Sequence, residues 1–322
     1  MSEVFISVYE DQKTILERIS AKVTDYNWLW NACRASKSPI QAYAELRKNI
    51  NSDQPYFIGT LSTGIRFVGD ARDFPSAWHA INPDANSALI KQMIDHIPPS
   101  GCDVVDIGAN IGVVSASVAM HLEGRGNVFA FEPSPSTYEL AAATIALNGV
   151  ENVILIKSAV GKQEGSVKFF ATPGNSGISS LLNHGFKFLS ELQEIEVPIC
   201  QIDNFFKGRE SSVGIMKIDV EGAEIDVIEG ASQFISNSLP LVIFEYTPVA
   251  AVSHGWTDMD AIRSLSKSGS FDFYAVSEEA EGAILSFPLP ANCMDQVNVF
   301  SVPSFGSTRT DPGHVATAKS LL

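Results

Sequence analysis

Asp106, Gly108 and Gly112 stand in the string Val104-Val-Asp-Ile-Gly-Ala-Asn-Ile-Gly112, an apolar run of strand length that enters a glycine loop and then a helical pattern. Gly108 and Gly112, with Ala109 and Asn110 between them, permit a tight turn and close approach of the backbone to a ligand. In an open α/β sheet such a loop falls in the crevice beyond the carboxyl ends of the strands. A dinucleotide site would need Gly-x-Gly-x-x-Gly, so that a pyrophosphate could rest on the helix N-terminus. Here Asn110 replaces the second glycine, and Asp106 would repel a pyrophosphate. A cationic sulfonium and an α-amino group would instead be attracted to that carboxylate. Glu132 follows 26 residues later, at the end of Phe129-Ala-Phe-Glu-Pro133, a spacing that suits one β-α-β unit. From there it can accept both hydroxyls of a ribose, with Pro133 beside it. Ser158 and Ala159, after the next apolar run, are expected to border the base.

A second set of acids closes later runs. Asp219 and Glu221 follow residues 215–218, Gly222 allows a turn into a helix, and Glu224 opens that helix, where it complements the dipole. Glu245 ends residues 241–244, and His254 lies in the loop beyond it. Gly177-Ile-Ser-Ser-Leu181 is small and polar, as a lid or a plain surface loop would be.

These residues need a frame. Apolar runs at 103–107, 128–131, 153–156, 215–218 and 241–244 alternate with helical patterns. Strands apolar on both faces and separated by helices predict a mostly parallel sheet covered by helices on both sides. Runs at 271–276 and 297–302 are expected to add antiparallel edge strands. Residues 165–200 read as an insertion over the sheet. Residues 1–85 read as a helical extension with a hairpin near 57–68, residues 86–303 as the main domain, and 304–322 as a flexible tail. Trp28, Trp30 and Trp78 fall in the extension and are expected to pack rather than to bind.

Composition narrows the partners. The chain has 322 residues, 45% hydrophobic and 18% charged, with a net charge of −15. That charge disfavours nucleic acid, whose phosphates reward clustered Lys and Arg. Cys33, Cys102, Cys200 and Cys293 show no paired spacing, so neither a zinc site nor a disulfide framework is expected. No apolar run approaches the roughly 20 residues of a membrane span, and no leader pattern is visible, so a cytoplasmic location is expected.

In order along the chain, Val105-Asp-Ile-Gly-Ala-Asn-Ile-Gly112, Phe129-Ala-Phe-Glu-Pro-Ser134, Gln201-Ile-Asp203, Met216-Lys-Ile-Asp-Val-Glu-Gly-Ala-Glu224 and Pro240-Leu-Val-Ile-Phe-Glu245 resemble the FkbM family of methyltransferases. The resemblance covers about residues 90–250, and the string Lys217 to Glu224 is its most specific part. It implies a Rossmann-like methyltransferase sheet and methyl transfer from S-adenosylmethionine, commonly to a hydroxyl of a sugar or polyketide. No metal is required for that transfer. Cofactor contacts are then expected at Asp106, Gly108, Ala109, Asn110, Gly112, Glu132, Pro133, Ser158 and Ala159. Asp219, Glu221, Glu245 and His254 are the candidates for taking the acceptor's proton. The acceptor is expected to be a small molecule or glycan hydroxyl. A protein or lipid-linked acceptor is the alternative enzyme reading, and a cofactor-binding interaction domain without activity is the alternative from another class. The oligomeric state has no signature in the sequence.

Overall fold

The computed structural model describes residues 2–179, 181, 192–208, 212–253, 255–277, 284–285 and 297–304. In chain order the strands are β1 (Tyr56–Thr60), β2 (Arg66–Asp70), β3 (Asp103–Ile107), β4 (Val128–Phe131), β5 (Val153–Ile156), β6 (Ala159–Val160), β7 (Gly165–Ala171), β8 (Gln193–Cys200), β9 (Val213–Ile218), β10 (Leu241–Tyr246), β11 (Phe271–Ser277), β12 (Ile284–Leu285) and β13 (Val297–Pro303). Eight of them form one sheet in the order β12-β11-β13-β10-β9-β3-β4-β5. The five strands from β10 to β5 are mutually parallel.

Period-two alternation divides their side chains between two cores. Val104, Val128, Ala130, Ile215 and Ile243 join one cluster with the helices Val113–Leu122 and Pro135–Asn148. Val105, Phe129, Phe131, Met216 and Phe244 join the other with the helices Glu224–Gly230, Ser232–Ser238 and Asp258–Ser268. This is the doubly covered Rossmann-like sheet that the apolar runs predict. Both late runs are strands, but β13 is not at the edge. It inserts antiparallel between β10 and β11, and its five buried residues from Val297 to Ser301 explain why. A strand apolar on both faces belongs inside a sheet.

The extension shares the first core. Ile19, Trp30, Tyr43, Phe57 and Phe67 lie in the same cluster as Val104 and Val128. The helix Ser2–Ser20 and the β1–β2 hairpin both rest on the helix Pro135–Asn148. The Val68 N–H donates to Thr144 Oγ1 at 3.1 Å, and the Arg66 N–H to Asn148 Oδ1 at 3.0 Å. Trp30 packs on Phe57 with ring centroids 4.7 Å apart. Trp28, by contrast, is 47% exposed. The two strands of the insertion join β6 in a second small sheet, in the order β6-β8-β7. Among the described residues, no helix is long and apolar enough to cross a membrane.

The strand order reverses between β3 and β9, and the two chain ends there nearly touch. The Asp219 N–H donates to the Ile107 carbonyl at 2.9 Å. Gly108 sits at φ +82, where an added Cβ would stand 1.8 Å from the Asp219 carbonyl oxygen. Gly108→Ala should therefore cost more than about 2 kcal/mol, combining backbone strain with a clash against main chain. Urea unfolding of the variant beside the parent measures it; a change below about 0.5 kcal/mol would contradict the close approach.

Candidate functional site

The reversal point opens into a cleft that is open to solvent at its mouth. It is lined by strand ends from the sheet, by the loop after Phe169, by Pro75 and His79 of the extension, and by Asn86 just after it.

Behind its floor lies a buried charge cluster. Lys217 on β9 is 4% exposed, and its Nζ lies 3.2 Å from Asp106 Oδ1 and 3.1 Å from Asp219 Oδ2, while donating to the Gly108 carbonyl at 3.3 Å. Burial alone would lower this ammonium's pKa. The paired charges of Asp106 and Asp219 outweigh it and hold the group above the ordinary lysine range. Asp106 is fully buried, and its other oxygen accepts from Ser115 Oγ. The residue expected to attract a cationic ligand thus has its carboxylate against Lys217. Lys217 already takes up its charge, and Asp106 is not on the cleft wall.

The glycine loop divides its labour. Gly108 and Asn110 reach the wall. The N–H groups of Gly108 and Ala109 both donate to the Phe131 carbonyl at 3.0 Å, and Gly112, at φ +79, caps the helix Val113–Leu122. Ala109 and Gly112 thus shape the loop without lining the cleft. Glu132, 6% exposed, does line it. One carboxylate oxygen accepts from the Asn110 N–H at 3.0 Å and the other from the Ser134 N–H at 2.9 Å, which fixes the group's orientation. Burial pushes its pKa up to about 8, against those two hydrogen bonds and Lys217. Pro133, Ser158 and Ala159 are also on the wall. The Ser158 hydroxyl donates to the Ala159 carbonyl at 2.8 Å, leaving its oxygen as an acceptor.

Asp219, Glu221 and Glu245 converge as their strand-end positions predict, with carboxylate oxygens within 4.8 Å of one another. Glu221 sits at φ 54, in the left-handed region, just before Gly222. Burial, and then the charges of Asp219 and Glu224, raise its pKa well above the usual carboxylate range. The three oxygens could receive protons, meet a cationic ligand, or span a divalent cation. Glu224 does more than face a helix dipole. Its Oε1 accepts from the N–H groups of Val220 and Gly222, at 3.2 and 3.1 Å, and so clamps the turn that carries Asp219 and Glu221. Burial raises its pKa to about 7. His254 lies outside the described residues, as do Ser180 of the expected lid and Cys293.

Sequence reasoning missed Lys217 as a functional residue, although a lysine inside an apolar strand is a signal, since lysine is almost never fully buried unless paired. It also missed the wall supplied by the extension. Asp73 caps the helix Phe74–Ile81, and its buried carboxylate accepts from the N–H and Oγ of Ser76 and from the N–H and Oγ of Ser176. Ser176 Oγ in turn lies 3.4 Å from Asn110 Nδ2, so extension, insertion and glycine loop are joined by one chain of hydrogen bonds.

The parallel sheet, the reversal point and the acidic strand ends define a Rossmann-like methyltransferase fold. The model of the methyltransferase FkbM domain matches residues 106–273, more than half of the chain, and the protein belongs to that family. Its cofactor is S-adenosylmethionine. Methyltransferase 1 of Beauveria bassiana is 27% identical over 148 residues, which cover 41% of this chain and 59% of the relative. The hexuronic acid methyltransferase AglP of Haloferax volcanii is 26% identical over 144 residues, covering 44% of this chain and 54% of the relative. The chain thus spans less than two thirds of the length of these relatives. Among solved structures, the methyltransferase FkbM from Methylobacillus flagellatus KT aligns with a TM-score of 0.41 at 14% identity, covering 81% of this chain and 58% of that one.

The raised carboxyls carry a pH signature for the free protein. Glu132 and Glu224 ionise at about 8 and 7 in the fold, against an ordinary 4.5. Between 4.5 and those values the folded chain holds protons that the unfolded chain has lost, so stability falls as pH rises. The unfolding midpoint should drop from pH 5 to pH 8.5, and Glu132→Gln should flatten that drop. A parallel slope in parent and variant would refute the neutral carboxyl.

Proposed function

We propose that this protein transfers a methyl group from S-adenosylmethionine to a hydroxyl of a neutral sugar or a related natural product. One observation carries the reading: Glu132, Asp219, Glu221 and Glu245, at or just after the ends of the three parallel strands β4, β9 and β10, share the wall of a single cleft. The cofactor, when bound, supplies a methyl made electrophilic by positively charged sulfur. Glu132 would hold the ribose hydroxyls, with each carboxylate oxygen already oriented by one backbone N–H. Ser158 and Ala159 would border the base, and Asp219 would face the amino group. The chain's remaining task is to hold an acceptor oxygen and take its proton as the new O–CH₃ bond forms. Glu221 suits that task by position, on the cleft wall with its carboxylate beside those of Asp219 and Glu245. Glu245 stands beside it, and His254 follows in sequence. The relative described as a hexuronic acid methyltransferase supports a carbohydrate acceptor. Among the described residues, however, no Lys or Arg lines the cleft and four acids do, so a neutral hydroxyl is favoured over an anionic sugar.

Labelled S-adenosylmethionine incubated with neutral glycosides and with uronates tests the class of acceptor. Methylation confined to the uronates would overturn the preference. Glu132→Ala should weaken S-adenosylhomocysteine at least tenfold by calorimetry, the equivalent of losing charge-assisted hydrogen bonds of about 1.5–3 kcal/mol. Unchanged affinity would remove Glu132 from the ribose.

Glu221→Gln should retain that affinity while kcat falls on the order of 10²–10⁴-fold, the usual worth of a general base. Turnover should survive EDTA if the carboxylates act on protons. Loss on chelation, restored by a divalent cation, would make them metal ligands instead.

A further inference from the structure

The cleft is unbalanced in charge. Among the described residues, Glu132, Asp219, Glu221 and Glu245 line it, whereas Lys217 is committed to Asp106 and Asp219 behind the wall. A ligand ending in an amino acid brings an α-carboxylate as well as an α-amino group. The acids can receive the ammonium, but the carboxylate needs N–H donors. Side-chain nitrogens on the wall belong to His79, Asn86 and Asn110. Asn110 already accepts from the Ile111 N–H at 2.8 Å and donates toward Ser176.

His79 and Asn86 fix each other. His79 Nδ1 lies 2.7 Å from the Pro75 carbonyl, which can only accept, so Nδ1 carries the proton. Burial keeps the imidazole below its ordinary pKa and therefore neutral, so Nε2 bears a lone pair. Asn86 Nδ2 lies 3.3 Å from that nitrogen. Because Nε2 accepts, the amide must turn its NH₂ toward the ring, spending one N–H and keeping a second for a ligand. The backbone of Asn86 sits at φ 63, a left-handed conformation that asparagine tolerates well. The residue opens the helix Ser87–Asp95, which packs on the helix Val113–Leu122 that the glycine loop feeds. Ser158 and Ala159, by contrast, stand after β5, two strands away from β3 in the sheet.

We propose that Asn86 binds the α-carboxylate of S-adenosylmethionine through its side-chain amide, with His79 as the positioning residue that fixes the amide's orientation. The inference rests on the cofactor reading above and adds a subsite drawn from outside the matched domain. Two ligands separate the subsite from the rest of the cleft: S-adenosylhomocysteine, which has the amino-acid end, and 5′-methylthioadenosine, which lacks it. Calorimetry on the full chain should show Asn86→Gly, which keeps the left-handed backbone without strain, weakening S-adenosylhomocysteine about tenfold or more. 5′-Methylthioadenosine should stay within about twofold. Asn86→Asp should weaken S-adenosylhomocysteine further, by adding like charge. His79→Phe, which keeps a ring against Phe67 but loses Nε2, should show a smaller loss with the same ligand selectivity. Equal losses for both ligands, or none for either, would overturn the assignment. A parent protein that binds neither ligand would instead refute the cofactor reading beneath it.

Discussion

One ammonium group without water holds the cleft in place. Lys217 rises from β9 into the gap between two strands whose connections run in opposite directions, and it answers Asp106 on one side and Asp219 on the other. A lysine buried to that degree is tolerable only because both carboxylates and the Gly108 carbonyl surround it. Removing one member of such a buried pair typically costs about 3–5 kcal/mol, because the remaining charge is left without compensation. The loop after β3 and the turn after β9 are thereby tied to a common point, and the distance across the cleft floor follows from it.

The remaining geometry hangs from this tie. Glu224 folds the turn after Asp219 back onto itself, and the Trp256 indole N–H donates to the Gly222 carbonyl at 2.9 Å from beyond the helix pair. Glu221 is carried in the left-handed region by that clamp and cannot move away from Asp219 and Glu245 without unfolding the turn. On the opposite wall, two backbone amides orient Glu132 with no side chain spent on the task.

Much of this was legible in the residues. Strands apolar on both faces gave away the parallel sheet, and the strand-end acids gave away the cleft, because both are local patterns that a sheet must express in sequence. β13 was harder to place. Its pattern announces a strand, but its insertion between β10 and β11 depends on a long-range pairing that no local pattern encodes. The partner of Asp106 was hidden for a related reason. A carboxylate beside a glycine loop reads as a ligand contact until the lysine 111 positions later is seen to lie against it in space. His79 and Asn86 were invisible because their spacing resembles that of ordinary helix-end residues. Long-range contacts bring them to the cleft: Asp73 bonds Ser176, and the helix Ser87–Asp95 packs on the helix Val113–Leu122.

The bracket formed by Asp73 and Ser176 has a consequence for how relatives are compared. The family domain begins at residue 106, yet Pro75, His79 and Asn86 stand before it and line the same cleft. Two proteins can therefore share every signature from the glycine loop to β11 and still differ in the ligand they hold, because part of the binding surface is inherited with a segment that the signature does not cover. A change confined to residues 75–86 would alter part of the cleft wall and leave the strand-end acids where they are.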